Sequence, residues 1–191
     1  PTGNFGNILA AYVAKKMGIP INMLISASNE NNVLADFFNT GTYNKDRSFF
    51  TTISPSMDIL LSSNFERYLY YVTGENSDRV NELMNDLTAN NSLSVSKEEF
   101  TNIQKEFFGA YADDKETSDS IKKLYKESNY LMDPHTAVAY SVYDKLDEKA
   151  DKQVTSLFKT QIAYSNEQSV DTSIPTQLLK LIFSNQFGNG T

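Results

Sequence analysis

Apolar and polar positions along the chain first follow a helical period, then a compact apolar run. Over residues 7–17, Ile8, Leu9, Tyr12, Val13 and Met17 recur at four-residue spacings, which predicts an amphipathic helix. Lys15 and Lys16 fall in its last turn, where cations suit the helix dipole, and Gly18 follows as a C-terminal cap. "IPINMLISAS" is a short apolar run after a proline, with Ile21, Leu24 and Ile25. At that length a buried strand is expected rather than a helix. Asn29 can cap a helix through "NNVLADFF", which "NTGTYN" ends. The first 40 residues therefore read loop, helix, strand, helix. Such alternation implies an α/β domain with a parallel sheet, whose leading strand is expected to precede residue 1.

Beyond this the pattern turns helical. "SSNFERYLYYVTG" opens on serine caps and closes on glycine, and "SDRVNELMNDLTANN" predicts a second helix. In "SVSKEEFTNIQKEFFGAY", Ser96 and Glu99 form a capping box, and Phe100, Ile103, Phe107 and Tyr111 make one stripe. "SDSIKKLYKESNYL" is helical. Asp133-Pro134 supplies a cap and an N1 proline for "HTAVAYSVYDKL", with Val138, Val142 and Leu146 on one face. "VTSLFKTQIAYS" fits a strand, and "PTQLLKLIFSNQF" before Gly188 fits a final helix. The chain thus divides into an α/β part over residues 1–60, a helix-rich part over 61–150 and a C-terminal part over 151–191.

Composition narrows the class. The 191 residues carry a net charge of −7, with 40% hydrophobic and 21% charged residues, which suits a packed core rather than disorder. The acidic balance leaves no Lys/Arg excess to neutralise nucleic-acid phosphates or to adsorb on anionic membranes. There is no cysteine, so disulfides and thiolate metal sites are excluded. No apolar run approaches the roughly 20 residues of a membrane helix, and no signal pattern opens the chain. A soluble, cytoplasmic protein is expected.

The candidate chemistry begins at residue 2. "TGNFGN" leads directly into a helix. Glycine permits close backbone approach, and a helix N-terminus offers unpaired N–H groups with partial positive charge. Gly3 and Gly6 are the close-approach positions; Asn4 and Asn7 can donate to an anion or cap the helix. There is no Walker lysine, and the glycine spacing differs from the dinucleotide fingerprint. Taken alone, the stretch fits an anion cradle or a capped tight turn. His135, the sole histidine, sits in a first helical turn, which favours a neutral, hydrogen-bonding imidazole over a catalytic base. One histidine without cysteine does not make a zinc site. "SPSMDILLSSNFER" gathers Ser54, Ser56, Asp58, Ser62, Ser63, Asn64, Glu66 and Arg67. It reads as a loop and capped helix, or as the wall of a polar pocket, without the base-plus-orienter spacing of a nucleophilic triad.

Four blocks taken together, "PTGNFGNILAAYVAKKMGIPI", "SASNENNVLADFFNTGTY", "SPSMDILLSSNFERYLYY" and "DPHTAVAY", resemble threonine synthase, in that family's order and over about residues 1–150. The resemblance implies the fold type II (tryptophan synthase β-like) scaffold of pyridoxal 5′-phosphate (PLP) enzymes. It implies conversion of O-phospho-L-homoserine and water to L-threonine and phosphate. It also implies that Gly3, Asn4, Phe5, Gly6 and Asn7 hold the cofactor phosphate, and that "SPSMD" and "DPHTA" lie near the substrate. The family's Schiff-base lysine precedes the G-N-F-G-N loop in an F-K-D context, which this sequence lacks; neither Lys15 nor Lys159 matches it. Thr160 in "KTQIAYSNEQSV" is the loose counterpart of the family threonine that reaches the PLP pyridine nitrogen, within a diverged C-terminal segment. The resemblance therefore implies the C-terminal portion of a threonine synthase, inactive without the lysine-bearing N-terminal part. Two other readings fit the residues: a non-catalytic α/β module binding a phosphate ligand through Gly3–Asn7, and an inactive remnant with no ligand.

Overall fold

The computed structural model describes residues 1–147; Thr160 and the strand and helix expected after residue 150 lie outside the described residues. The first helix, α1, spans Gly6–Lys16 and places Ile8, Leu9 and Tyr12 in the core. Met17, expected on the same face, is the helix's C-cap and stays 81% exposed, because it lies one residue past the last helical turn. Gly18 takes the left-handed φ of 101° that ends the helix. Strand β1 follows at Leu24–Ser28, as the apolar run predicted.

Next come α2 (Val33–Thr40), β2 (Thr42–Asn44), α3 (Phe65–Val72), α4 (Ser77–Asn90), β3 (Ser92–Ser94) and α5 (Lys97–Glu106). Between β2 and α3 runs a long loop whose one regular feature is a 3₁₀ turn at Pro55–Met57. The Ser96/Glu99 capping box forms with both reciprocal bonds. The expected continuation of that helix does not form. Helix α5 stops at Glu106, and Phe107–Tyr111 becomes strand β4, so Phe107 and Tyr111 belong to a strand rather than to a helical stripe.

The reason is tertiary. β1 and β4 pair in parallel, Leu24 opposite Phe107 and Ser28 opposite Tyr111, so the extended form of "FFGAY" satisfies backbone groups that β1 would otherwise bury unpaired. Gly109 at the centre of β4 lets α2 lie directly on the sheet. A Cβ there would stand 2.7 Å from the Ala35 carbonyl oxygen and 2.8 Å from Phe38 Cβ. The helix-rich second stretch therefore contributes to the same parallel sheet as the first sixty residues. β2 and β3 form a separate short antiparallel pair.

One aromatic core joins these parts. Phe5, Tyr12, Phe37, Phe38, Tyr43, Phe65, Tyr68 and Phe107 belong to a single buried cluster with Leu24, Leu34, Leu83 and Ile103. Phe38 and Phe107 stack with centroids 4.6 Å apart, and Phe65 meets Phe37 edge-on at 4.7 Å. On the other side of the sheet, α7 (Pro134–Asp147) buries Val138 and Val142 against Ala27 and Met57. Helix α6 (Asp114–Ser128) packs beside it, capped by Asp113.

Candidate functional site

The loop before α1 starts beside the carboxyl end of β1, where the Thr2 amide donates to the Ala27 carbonyl (2.9 Å). Ligands of parallel α/β sheets bind outside the carboxyl ends of the strands. The loop turns at Phe5, which caps α1 in the left-handed conformation, φ 61° and ψ 10°. A phenylalanine holds that backbone only when its surroundings fix it. Its ring is fully buried among Phe38, Phe65, Tyr68 and Phe107, at centroid distances of 5.4 to 6.0 Å. Phe5 is thus the anchor of the loop, and its side chain is committed to the core.

The two glycines differ. A Cβ on Gly3 would stand 2.9 Å from Met57 Cα and 3.2 Å from the Met57 carbonyl oxygen. Its close approach is to the 3₁₀ turn, so Gly3 is needed by the protein itself. Gly6 is exposed, and a Cβ there would meet one atom, Asn64 Nδ2, at 3.4 Å. Gly6 leaves open space at the tip of the helix.

That space is ringed by donors. The first N–H groups of a helix have no intrahelical acceptor. Leu9 N–H closes the first bond, to Phe5 (3.2 Å), and the Gly6 and Ile8 amides have no backbone acceptor among the described residues. No acidic side chain occupies the first turn of α1, so its partial positive charge is uncompensated. The Asn4 Oδ1 accepts from the Ser63 amide (2.7 Å) and the Ser63 hydroxyl (2.9 Å). A backbone amide can only donate, so this contact fixes the Asn4 orientation and presents its NH₂ group, with two donors, on the exposed rim. Asn7 lies in the first helical turn and is half-buried.

A platform of polar bonds holds the loop from below. The Ser62 hydroxyl donates to the Gly3 carbonyl, and Asn64 Nδ2 donates to the Asn4 carbonyl (2.9 Å). The expected serine caps of α3 are replaced by these contacts: the N-cap residue is Asn64, and its side chain makes no cap bond. Ser62 is fixed in turn by Tyr43, whose hydroxyl accepts the Ser62 amide and donates to the Leu60 carbonyl, both at 2.9 Å. Burial pushes the Tyr43 hydroxyl above its ordinary pKa, so it remains the donor this bridge needs.

Asp58 organises the rest of the long loop. Its carboxylate accepts from Asn29 (2.7 Å), Asn31 (3.0 Å), the Thr52 hydroxyl (2.8 Å) and the Thr52 amide (3.0 Å). Asn29 therefore does not cap α2. Its Nδ2 also lies within hydrogen-bond distance of the Thr52 and Ser54 hydroxyls (2.9 and 3.1 Å), which share its two hydrogens with Asp58, and the N-cap position of α2 belongs to Asn32. The side chain turns to Asp58 because the long loop brings a half-buried carboxylate to the end of β1, and hydrogen bonds to a charged group outweigh those to a helix end near solvent.

His135 ties two segments together. Its Nε2 accepts the Ser56 amide (3.3 Å) and its Nδ1 lies 3.1 Å from Asp133 Oδ1, which caps α7 through the His135 and Thr136 amides. The "SPSM" turn that backs Gly3 is thereby tied to "DPH". Ser54, Ser56 and Asp58 shape this support; Glu66 and Arg67 instead line a surface groove of about 510 Å³ between α3 and α4, with Tyr70 and Tyr71. Lys15 and Lys16 sit at the opposite end of α1, about 15 Å from the loop by helix length. Lys145 at the end of β4 is held by the Tyr111 carbonyl and Glu116.

These residues fit a phosphate. Gly6 is exposed, the Gly6 and Ile8 amides and the Asn4 NH₂ group are donors within the same five-residue stretch, and the buried Ser28 hydroxyl at the carboxyl end of β1 has no partner among the described residues. The Ser28 hydroxyl is thus an unused donor at the carboxyl end of β1, where the Asp58 carboxylate is already engaged by Asn29, Asn31 and Thr52. Among the described residues, no group of three or more His, Cys, Asp or Glu could hold a metal ion, and no helix is long and apolar enough to cross a membrane.

Sequence reasoning found the loop but missed how it is held. Met57 under Gly3, and the pairing of Asn29 and Asn31 with Asp58, left no local signal, since the partners are 27 to 29 residues apart in the polar cluster.

No family model matches the sequence. The chain is 44% identical to threonine synthase-like 1 of Pongo abelii over 151 residues, covering 78% of this chain and 20% of that protein. In structure it is similar to PLP-bound threonine synthase from Brucella melitensis, with a TM-score of 0.74 and 40% identity over 79% of this chain and 32% of that one. It is equally similar to threonine synthase from yeast, with a TM-score of 0.75 and 41% identity, over 80% of this chain and 33% of that one. The chain thus spans between a fifth and a third of the length of these relatives. Over about four-fifths of its own length, this chain is homologous to the threonine synthases and carries part of their fold type II architecture.

Proposed function

We propose that this chain is the phosphate-cradling part of a PLP-dependent threonine synthase, a lyase that converts O-phospho-L-homoserine and water to L-threonine and phosphate. Gly3, Asn4, Phe5, Gly6 and Asn7 hold the cofactor phosphate. The supporting observation is exposed Gly6, with the helix amides and the Asn4 NH₂ group as donors in the same five-residue stretch and no acidic side chain in the first turn of α1.

When bound, PLP supplies an electron sink that lets protons near the substrate amino group depart. The residues of this chain bind and orient. The α1 amides and Asn4 take the dianionic phosphate, the buried Phe5 ring fixes the loop, and the Ser62–Asn64 platform sets its height above the sheet. Gly3 lets the "SPSM" turn pack against the loop, while Asp58 and His135 keep that turn in place. Residues 1–60 supply the cradle and residues 61–150 its platform. Thr160, outside the described residues, is the loose counterpart of the family threonine that reaches the ring nitrogen.

The proton-shuttling lysine belongs to another part of the enzyme, since this sequence has no F-K-D motif. The chain alone is expected to bind PLP without turnover. Two measurements test this: a PLP titration of the chain, and phosphate release from O-phosphohomoserine with PLP present. Saturable PLP binding without an imine absorbance band, and without phosphate release, is the expected outcome. Robust turnover by the chain alone refutes the assignment of the lysine elsewhere, and absence of PLP binding refutes the cradle.

A further inference from the structure

Asn64 is the N-cap residue of α3, a position where asparagine ordinarily accepts hydrogen bonds from its own helix. Here its side chain makes no such bond. The amide is turned toward the loop ahead of α1, where Nδ2 donates one hydrogen to the Asn4 carbonyl at 2.9 Å. The same Nδ2 lies 3.4 Å from where a Cβ of Gly6 would be. An amide NH₂ carries two hydrogens. The first is held by Asn4, and this bond fixes the plane of the group. The second has no acceptor among the described residues, and the nitrogen that carries it stands beside Gly6.

We infer that Asn64 is a further phosphate-binding residue, contributed from the second helical stretch rather than from the G-N-F-G-N loop. This inference rests on the cradle proposed above and extends it. Its physical sense is that the loop offers donors from one side, the helix end and Asn4, whereas a phosphate has three terminal oxygens. Asn64 approaches from the α3 side and adds a donor there. It also makes the site dependent on α3, whose Phe65 and Tyr68 pack on the Phe5 ring, so that the loop and its opposing donor move as one body.

The test compares the full 191-residue chain with Asn64→Ala, Asn64→Asp and Gly6→Ala. Each is titrated with PLP and with inorganic phosphate as competitor, and each is melted without ligand. Loss of one hydrogen bond to a charged group is expected to weaken PLP binding roughly tenfold in Asn64→Ala. In Asn64→Asp, a carboxylate facing the phosphate is expected to weaken it roughly a hundredfold. A residue that merely buttresses Asn4 loses the same bond in both variants, so equal losses in Ala and Asp overturn the inference. Unchanged affinity in both, with a lowered melting temperature, also overturns it. Binding lost in Gly6→Ala but kept in Asn64→Asp refutes Asn64 while sparing the cradle. No binding by the unaltered chain refutes both.

Discussion

The two loop glycines give a sharp separation between folding and ligand recognition. Replace each by alanine. At Gly3 the new methyl carbon would stand 2.9 Å from Met57 Cα and 3.2 Å from the Met57 carbonyl, both main-chain atoms. They cannot swing aside as a side chain would, and Met57 is buried with Ala27, Val138 and Val142 behind it. Overpacking of this kind costs about 1–3 kcal/mol. For a domain of this size that is roughly 2–12 °C in melting temperature. At Gly6 the methyl meets Asn64 Nδ2 alone, at an ordinary contact distance of 3.4 Å. The residue is the first of α1 and its φ is not in the left-handed range. Alanine there is neutral or stabilising by up to about 1 kcal/mol. The methyl does, however, fill the open face that the Gly6 and Ile8 amides border. Thermal melts without ligand should therefore show a large loss for Gly3→Ala and none for Gly6→Ala. PLP titration should show at least a tenfold loss of affinity for Gly6→Ala. Equal destabilisation by the two variants would refute the packing argument. Undiminished PLP affinity in Gly6→Ala would refute the placement of the phosphate over that face.

Three further outcomes follow from the structure. Gly109→Ala places a carbon 2.7 Å from the Ala35 carbonyl and 2.8 Å from Phe38 Cβ, so it should cost about 3 kcal/mol or more in a urea unfolding experiment; wild-type stability would show that α2 does not lie directly on β4. Asp58→Asn presents an NH₂ group to donors now received by the carboxylate, from Asn29, Asn31 and Thr52, and should lose about 2–3 kcal/mol; unchanged unfolding would show that the polar cluster is replaceable. Alkaline pH should weaken the fold between about pH 10 and 12. Burial, reinforced by Glu106, pushes the Tyr12 hydroxyl up to about 12, and burial also raises Tyr68 and Tyr43. Their neutral forms stabilise the fold fully below the ordinary tyrosine pKa of about 10. Above it the unfolded chain sheds protons that the native chain keeps, and stability falls by up to about 1.4 kcal/mol per pH unit for each such tyrosine. A melting temperature flat across that window, followed by circular dichroism, would contradict the burial of these hydroxyls.

What the sequence determined by itself is local. The period of Ile8, Leu9 and Tyr12 set α1, the length of the apolar run set β1, and Ser96 with Glu99 set the start of α5. The "TGNFGN" stretch read as an anion cradle or a capped tight turn, because glycine, asparagine and a following helix state their chemistry within a few residues. What only the tertiary structure decided depends on partners distant along the chain. Phe107–Tyr111 carries an aromatic stripe that suits a helix or a strand, and pairing with β1 chose the strand. Asn29 can cap a helix or pair with a carboxylate, and Asp58 chose for it. Gly3 and Gly6 look alike in sequence, yet Met57 requires one to be glycine while the other leaves room for a ligand. Phe5 tolerates its left-handed turn because four rings from α2, α3 and β4 enclose it. Short-range patterns carry propensity and capping; burial and pairing across 30 to 100 residues carry the choice between conformations that those patterns leave nearly equal in energy.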